Sequence, residues 1–311
     1  MTSAASIAGR RSVRDPRGSR RPGKLERRAS RFGWFFAAPA VALFGFFFAY
    51  PLLASLLQSL QVTDGGVTRF GGAANYEKLL SDDLVWLSLM NAGIVLIVQV
   101  PLMICLALLL ATVLNQGWLR FRTTARLIHF LPAVTTLVAY SLVFRVMLQS
   151  DGGVINQLIG LVGIAPIDWL NNPFWARVAL IASITWRWTG YNMVLLLAGL
   201  QGIPQEQYES AEIDGASGWR TFRYVVVPQL RPVLIFTSIT STIGALQLFD
   251  ENFILTGGGP SNATLTPVLY LYRVGFRQFD FGYASAIAWL LVLVIGIFSV
   301  AQYLLMREKE S

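Results

Sequence analysis

The stretch "YESAEIDGASGWRTFRYVVVP", residues 208–228, decides how this chain is read. It holds Glu209, Glu212, Asp214, Arg220 and Arg223, with glycines at 215 and 218, between long apolar runs. Pro204, just ahead of it, suits the first turn of a helix, where its missing N–H costs nothing, and Glu206 is favourable near the positive end of the dipole. The helix is expected to run to about Asp214, because Gly215 can adopt the left-handed conformation that ends it. A second short helix is expected over 217–224, with Trp219, Phe222 and Val226 on one side. Pro228 and Pro232 then mark re-entry into an apolar span. Ala211, Gly215 and Gly218 fall at i, i+4 and i+7, a low surface that another protein's side chains could approach closely. A polar hairpin of this kind has little chance of standing alone, so it is expected to dock onto something.

The surroundings explain its isolation. The 311 residues are 54% hydrophobic and 14% charged, with mean hydropathy +0.54, against about 25% charged in a typical soluble domain. The apolar residues are gathered in blocks long enough to cross a bilayer, which takes about 20 helical residues. Six such blocks fall at 34–58, 88–114, 127–148, 177–200, 233–255 and 283–306. The fold class expected is an all-α membrane protein with six transmembrane helices. Residues 1–32 are expected to form a basic, disordered cytoplasmic tail, and 33–311 one transmembrane domain interrupted by the charged loop 201–232. The first span is too long for a signal-peptide core and follows a polar segment, so no cleavage is expected.

Net charge is +8, and all of it belongs to the tail, where ten basic residues face two acidic ones. The rest of the chain is balanced, fifteen against fifteen. A tail with one aromatic residue, Phe32, does not make a nucleic-acid surface, so no nucleic-acid partner is expected. With the N-terminus inside, the inner segments carry eighteen Lys and Arg and the outer ones five. The positive-inside rule therefore places both termini in the cytoplasm. The lone Cys105 and lone His129 leave no set of side chains for a disulfide or a metal site.

The loop carries a resemblance. Glu209-Ser210-Ala211, three residues, Gly215, nine residues, then Val225-x-Val227-Pro228 resembles the EAA loop of bacterial ATP-binding-cassette (ABC) importer permeases, whose pattern is Glu-Ala-Ala, Gly, Ile-x-Leu-Pro at the same spacing. Ser210, Val225 and Val227 are the departures, all small. A second stretch, "FDENFILTGGGPSNATLTPVLYLYRVGF" (249–276), is similar to the segment after the fifth span of maltose- and glycerol-phosphate-type carbohydrate permeases. The resemblance covers nearly the whole chain from about residue 34. It implies the type I importer permease fold in the bacterial cytoplasmic membrane, importing a sugar or sugar-like solute by alternating access. The loop would be a coupling helix, with Tyr208, Glu209, Ser210, Ala211, Asp214, Gly215, Ala216 and Gly218 facing a separate ATPase. It also implies a second homologous permease, two ATPase copies and an extracytoplasmic solute-binding protein. Outer loops 59–87, 149–176 and 256–282 are candidate surfaces for that binding protein. ATP and magnesium would belong to the ATPase; this chain has no Gly-x4-Gly-Lys-Ser/Thr loop. It would bind no cofactor and perform no bond chemistry.

Charged residues inside a bilayer are costly and usually functional. They occur in "TWRWTGYN" (185–192) and "LQLFDEN" (246–252). Arg187 could pair with Asp250 or Glu251, or line a water-filled cavity. Trp188 and Tyr191, at i and i+3, could offer rings to the C–H faces of a sugar. The resemblance places Arg187, Trp188 and Tyr191, and after the loop Ser241, Gly244, Ala245 and Leu248, on the solute pathway. Gln247, Asp250 and Glu251 join them on chemical grounds.

Two other readings have a foothold. "GASG" (215–218) matches the nucleophile motif of rhomboid-type proteases, with His129 as the base; the chemistry needs Ser217 and His129 within hydrogen-bond reach. A stand-alone secondary carrier would fit the spans, but it leaves the docking loop without a purpose. The glycine run 257–259 is expected to be a turn or a docking loop rather than a phosphate loop.

Overall fold

In the computed structural model of the chain, the described residues are 35–64, 66–116 and 120–306. The basic tail 1–32, Arg307 and Lys309 lie outside them. Two compact units are present, 1–54 and 55–311. The described part of the first belongs to helix α1 (Phe35–Ser59). Rings four residues apart, one turn along a helix, meet there: Phe44 stacks on Phe48 at 5.5 Å and Phe46 on Tyr50 at 6.3 Å.

A small antiparallel hairpin, β1 (Gln61–Asp64) and β2 (Val67–Phe70), is followed by α2 (Ala74–Ser81) and α3 (Asp83–Asn115). Asp82 starts α3 by accepting the N–H of Leu84 at 2.9 Å. It also takes the hydroxyls of Tyr270 at 2.5 Å and Tyr283 at 2.6 Å, which come from far along the chain. Burial alone would raise the pKa of this carboxyl; the two hydroxyls and the backbone N–H groups outweigh it, and the group is held below its ordinary value. Around it Leu79, Val85, Leu269, Val274 and Ile287 form one core cluster.

Among the described residues, four helices are long and apolar enough to cross a membrane: α1, α3, α9 (Gly218–Leu246) and α12 (Phe281–Met306). A fifth crossing is made if α4 (Arg122–Val134) and α5 (Leu137–Met147), bent by 98°, count as one span. Helix α7 (Pro173–Gln201) has 29 residues, ample for a bilayer, but a polar middle, Trp186 to Asn192. Its polar residues turn inward: Ser183, Thr185, Arg187, Thr189 and Asn192 are all buried. Asn172 caps this helix through the N–H groups of Phe174 and Trp175, with Pro173 in its first turn. Between α5 and α7 lies the short α6 (Val154–Gly160).

Two of the expected spans need correction. The third, 127–148, is not one helix. Pro132 lacks an N–H, Thr135 and Thr136 are extended, and the Thr136 hydroxyl caps the new helix at Ala139. Hydropathy does not see the break, because Leu131, Ala133 and Val134 keep the run apolar. The fifth, 233–255, begins earlier and ends sooner. Residues from Gly218 join one continuous helix, so 217–224 is its first part rather than a separate short helix. Pro228 and Pro232 lie inside it, preceded by a wide π turn at Phe222–Val226 that gives the proline rings room. The helix stops at Leu246, and after the connector 247–249 a separate short helix, α10 (Asp250–Leu255), takes over.

Helices α3 and α7 lie side by side along their length, with Val95 near Leu180 at one end and Ala107, Ala111 and Leu114 near Met193, Leu196 and Leu200 at the other. Leu230 of α9 joins the second group. A methyl group built on Gly190 would overlap the carbonyl of His129, so α4 and α7 meet backbone to backbone there.

Candidate functional site

Beside α7, where α3, α5, α9 and α10 also contribute, there is a cavity of about 290 Å³. Trp188 and Tyr191 line it, their rings 5.8 Å apart and perpendicular. Ser241, Gly244 and Ala245 come from the last turns of α9, Gln247 and Leu248 from the connector, and Asp250 and Glu251 from the start of α10. Nine of the ten residues expected on the pathway are thus brought to one cavity.

Arg187 is the exception. It is buried at 4% exposure but is not part of the cavity lining, and among the described residues it forms no ion pair with Asp250 or Glu251. Its guanidinium donates to the carbonyl of Thr135 at 2.9 Å, to that of Ala133 at 3.3 Å and to the Thr135 hydroxyl at 3.3 Å. It also lies over the Tyr140 ring at 4.6 Å and near that of Trp188 at 5.5 Å. The reason is local. The break after Val134 leaves the Ala133 and Thr135 carbonyls without helical partners, and Arg187 supplies the donors.

Sequence reasoning missed other lining residues, among them Gln99, Asn192 and Thr240. Asn192 is buried at 3% exposure; its Nδ2 donates to the Trp188 carbonyl at 3.0 Å, while its Oδ1 has no hydrogen-bond partner among the described residues. The signal was available: polar amides inside apolar spans, one of them, Asn192, a single helical turn from Trp188. Phe249 also lines the cavity and stacks on Phe253 at 5.4 Å. The connector is held by the loop that follows α10. The Thr266 hydroxyl donates to the Leu248 carbonyl at 2.8 Å, and Asn252 Nδ2 donates to the Thr264 carbonyl at 2.5 Å. The glycine run is a turn, with Gly257 and Gly258 at φ +62° and +86°. Beyond it, α11 (Pro267–Tyr272) leads to α12.

The charged loop folds largely as its sequence reads. Helix α8 (Gln205–Ile213) starts after Pro204 and ends in a Schellman turn: the N–H of Ala216 donates to the Ala211 carbonyl at 2.9 Å and that of Gly215 to the Glu212 carbonyl at 3.0 Å, with Gly215 at φ +70°. Glu209, Ser210, Asp214, Gly215 and Gly218 are exposed. Ala211 is buried, so it does not share an outward face with the two glycines. Tyr208 packs against the cluster of Leu114, Leu200, Val226 and Leu230, and burial pushes its phenol upward in pKa. Together with Glu212, Ala216 and Gly218 it lines a second cavity, of about 400 Å³, closed by Asn115 and Gln116 at the end of α3. Three apolar side chains missed by the motif stand out on this loop and the start of α9: Ile213 at 86% exposure, Trp219 at 72% and Tyr224 at 74%.

The protease reading fails on geometry. Ser217 Oγ caps α9 by accepting the Arg220 N–H, and His129 Nδ1 pairs with the Ala125 carbonyl at 2.8 Å. Ser217 and His129 make no hydrogen bond to each other among these contacts.

Comparison with known proteins agrees with the geometry. The chain is 47% identical over 283 residues, 89% of its length and 95% of the relative's, to the lactose transport system permease protein LacF of Rhizobium radiobacter. It is 33% identical over 279 residues, 89% of its length and 94% of the relative's, to the trehalose/maltose transport system permease protein MalF of Thermococcus litoralis. The crystal structure of a bacterial ABC transporter involved in import of the acidic polysaccharide alginate contains a chain with the same fold, at TM-score 0.80 and 20% identity, covering 93% of this chain and 100% of that one. The model of the family described as binding-protein-dependent transport system inner membrane component matches residues 103–309. With a family match over most of its length and relatives this similar, the chain belongs to that family of ABC importer permeases.

Proposed function

We propose that this permease subunit carries a neutral disaccharide or short oligosaccharide, with lactose the first candidate, inward through the cavity beside α7. As an importer permease it is not an enzyme; ATP is hydrolysed on a separate chain. The observation that carries the substrate class is the cavity wall itself. Two perpendicular rings, Trp188 and Tyr191, offer apolar faces, and the unpartnered Oδ1 of Asn192 offers an acceptor for a hydroxyl. A buried acceptor without a partner costs about 1–3 kcal/mol, which a bound hydroxyl would recover. Similarity to permeases named for lactose, trehalose and maltose supports the same reading.

In this reading α1, α3, the α4–α5 pair, α7, α9 and α12 make six crossings with both termini cytoplasmic, and the 1–32 segment is a basic cytoplasmic tail. A second homologous permease, two ATPase copies holding ATP and magnesium, and an external solute-binding protein complete the assembly. The ATPase docks on α8 and the loop around it, where Glu209, Asp214 and Gly215 are presented beside the apolar Ile213. Affinity purification from native membranes in mild detergent is expected to recover an ATP-binding chain and a second permease. Reconstituted with its binding protein, the complex takes up radiolabelled lactose only when ATP is supplied. Recovery of the chain alone, with uptake collapsing when an ion gradient is dissipated, would instead establish a secondary carrier.

Orientation has its own test. In a Cys105→Ser background, Ser210→Cys reacts with a membrane-impermeant maleimide only after the membrane is opened. Asp151→Cys reacts in intact spheroplasts. The reverse pattern would invert the topology.

A further inference from the structure

Arg187 raises a question that solute binding does not answer. It is a full positive charge, almost completely buried, with no carboxylate partner among the described residues. A buried charge is costly unless it is hydrogen-bonded, so the groups that Arg187 bonds to are what its burial depends on. Every hydrogen bond it makes goes to the end of α4 and the break that follows it: the Ala133 and Thr135 carbonyls and the Thr135 hydroxyl. Its cation–π contact at 4.6 Å goes to Tyr140, one turn into α5 on the far side of the break. A single side chain of α7 therefore grips both arms of a 98° bend. Three residues further along α7, Gly190 lets the His129 carbonyl of α4 pack directly on its backbone, which leaves α4 little freedom to slide.

The grip also touches the cavity from two directions. Trp188, next to Arg187, lies within 5.5 Å of the guanidinium and lines the cavity. Tyr140, which carries the cation–π contact, belongs to α5 on the far side of the break. Helix α5 itself contributes Leu137 to the wall. The wall and the bend share side chains.

We propose that Arg187 is a positioning residue: it fastens the bend between α4 and α5, and through Tyr140 and Trp188 makes that bend respond to whether a solute fills the cavity. It holds the free carbonyls as a fork of donors, for which lysine, with one nitrogen, is a poor substitute. The proposal rests on the importer reading but adds a claim about the empty protein, so the two can fail separately.

The test uses the complete transporter in lipid nanodiscs, in the Cys105→Ser background, with nitroxide labels at Ile128→Cys on α4 and Val146→Cys on α5. Electron-electron distance measurement is expected to give one narrow distribution for the Arg187 protein without sugar and a shifted one once lactose and binding protein are added; an unshifted one would overturn the response to solute. Arg187→Gln is expected to at least double the sugar-free width, and Arg187→Lys to fall between. ATP hydrolysis in the absence of binding protein is expected to rise several-fold in Arg187→Gln, partly restored by Lys. A wild-type distribution in Arg187→Gln would overturn the proposal, even with uptake abolished, because Arg187 would then be acting on solute. If Arg187→Gln does not assemble, Tyr140→Leu decides: it leaves the carbonyl bonds and removes the ring. A broader distribution supports the fastening; an unchanged one overturns it.

Discussion

Gly215→Val is expected to reduce ATP-driven uptake to background while the chain remains in the membrane at normal abundance. Gly215 sits at φ +70°, where it closes the Schellman turn of α8. A side chain there costs about 1–2 kcal/mol for an ordinary residue, and more for a β-branched one, whose second γ-carbon meets the preceding backbone. The surrounding space is open, so the penalty is conformational and not a clash with a neighbour. The turn can escape it only by unwinding the exposed end of α8, which moves Asp214 and Ile213 out of the proposed docking face. Gly215→Asn provides the control, because asparagine tolerates the left-handed region and is expected to keep most of the uptake. Uptake equal to wild type in Gly215→Val would remove the loop from the coupling step. Equal loss in both variants would mean that any side chain obstructs the docked partner, and that backbone conformation is not the cause.

Trp188→Ala combined with Tyr191→Ala is expected to raise the half-saturating sugar concentration about 30-fold. Each ring is taken to cover about 40 Å² of apolar sugar surface, worth about 1 kcal/mol at ~25 cal/mol per Å²; losing both is about 2 kcal/mol, and a tenfold change takes about 1.4. Copurification of the ATPase is expected to be unchanged, since the loop lies elsewhere. A transporter with wild-type saturation would take both rings out of the solute path. Trp188 requires one further check, because it also neighbours Arg187. Tyr191→Ala alone leaves that contact intact, so it isolates the contribution of a ring to the solute.

The turn signals of the loop were legible because they depend on single residues: Pro204 opens α8, and Gly215 closes it in the one conformation glycine tolerates best. The cavity was legible for a different reason. Aromatic and charged side chains are conspicuous against apolar spans, so Trp188, Tyr191, Asp250 and Glu251 announced themselves. What was not legible is instructive. The break at Thr135 lies inside an unbroken apolar run, and hydropathy averages over it. Its cause, Pro132 followed by a threonine pair, is chemical and local. Arg187 looked like a solute ligand because a buried charge inside a membrane suggests one, and only the positions of the freed carbonyls reveal its actual partners. Asn192 and Gln99 were overlooked because an amide is a weaker signal than a charge, although at the wall of a cavity its acceptor is of the same use. The two prolines in α9 misled in the opposite sense: a widened turn absorbs them, and the helix runs through.

That uninterrupted helix constrains how the protein could change over time. Helix α9 runs from Gly218, beside the charged loop, to Leu246 at the cavity wall, about 43 Å at 1.5 Å per residue. Inserting or deleting one residue in it would turn Thr240, Ser241 and Gly244 by about 100° about the axis relative to the loop. Tolerated length changes should therefore come in steps close to whole turns, or fall in the connector 247–249. Lineages can exchange cavity side chains freely, and with them the sugar, but the number of residues between the two ends of this helix should stay fixed.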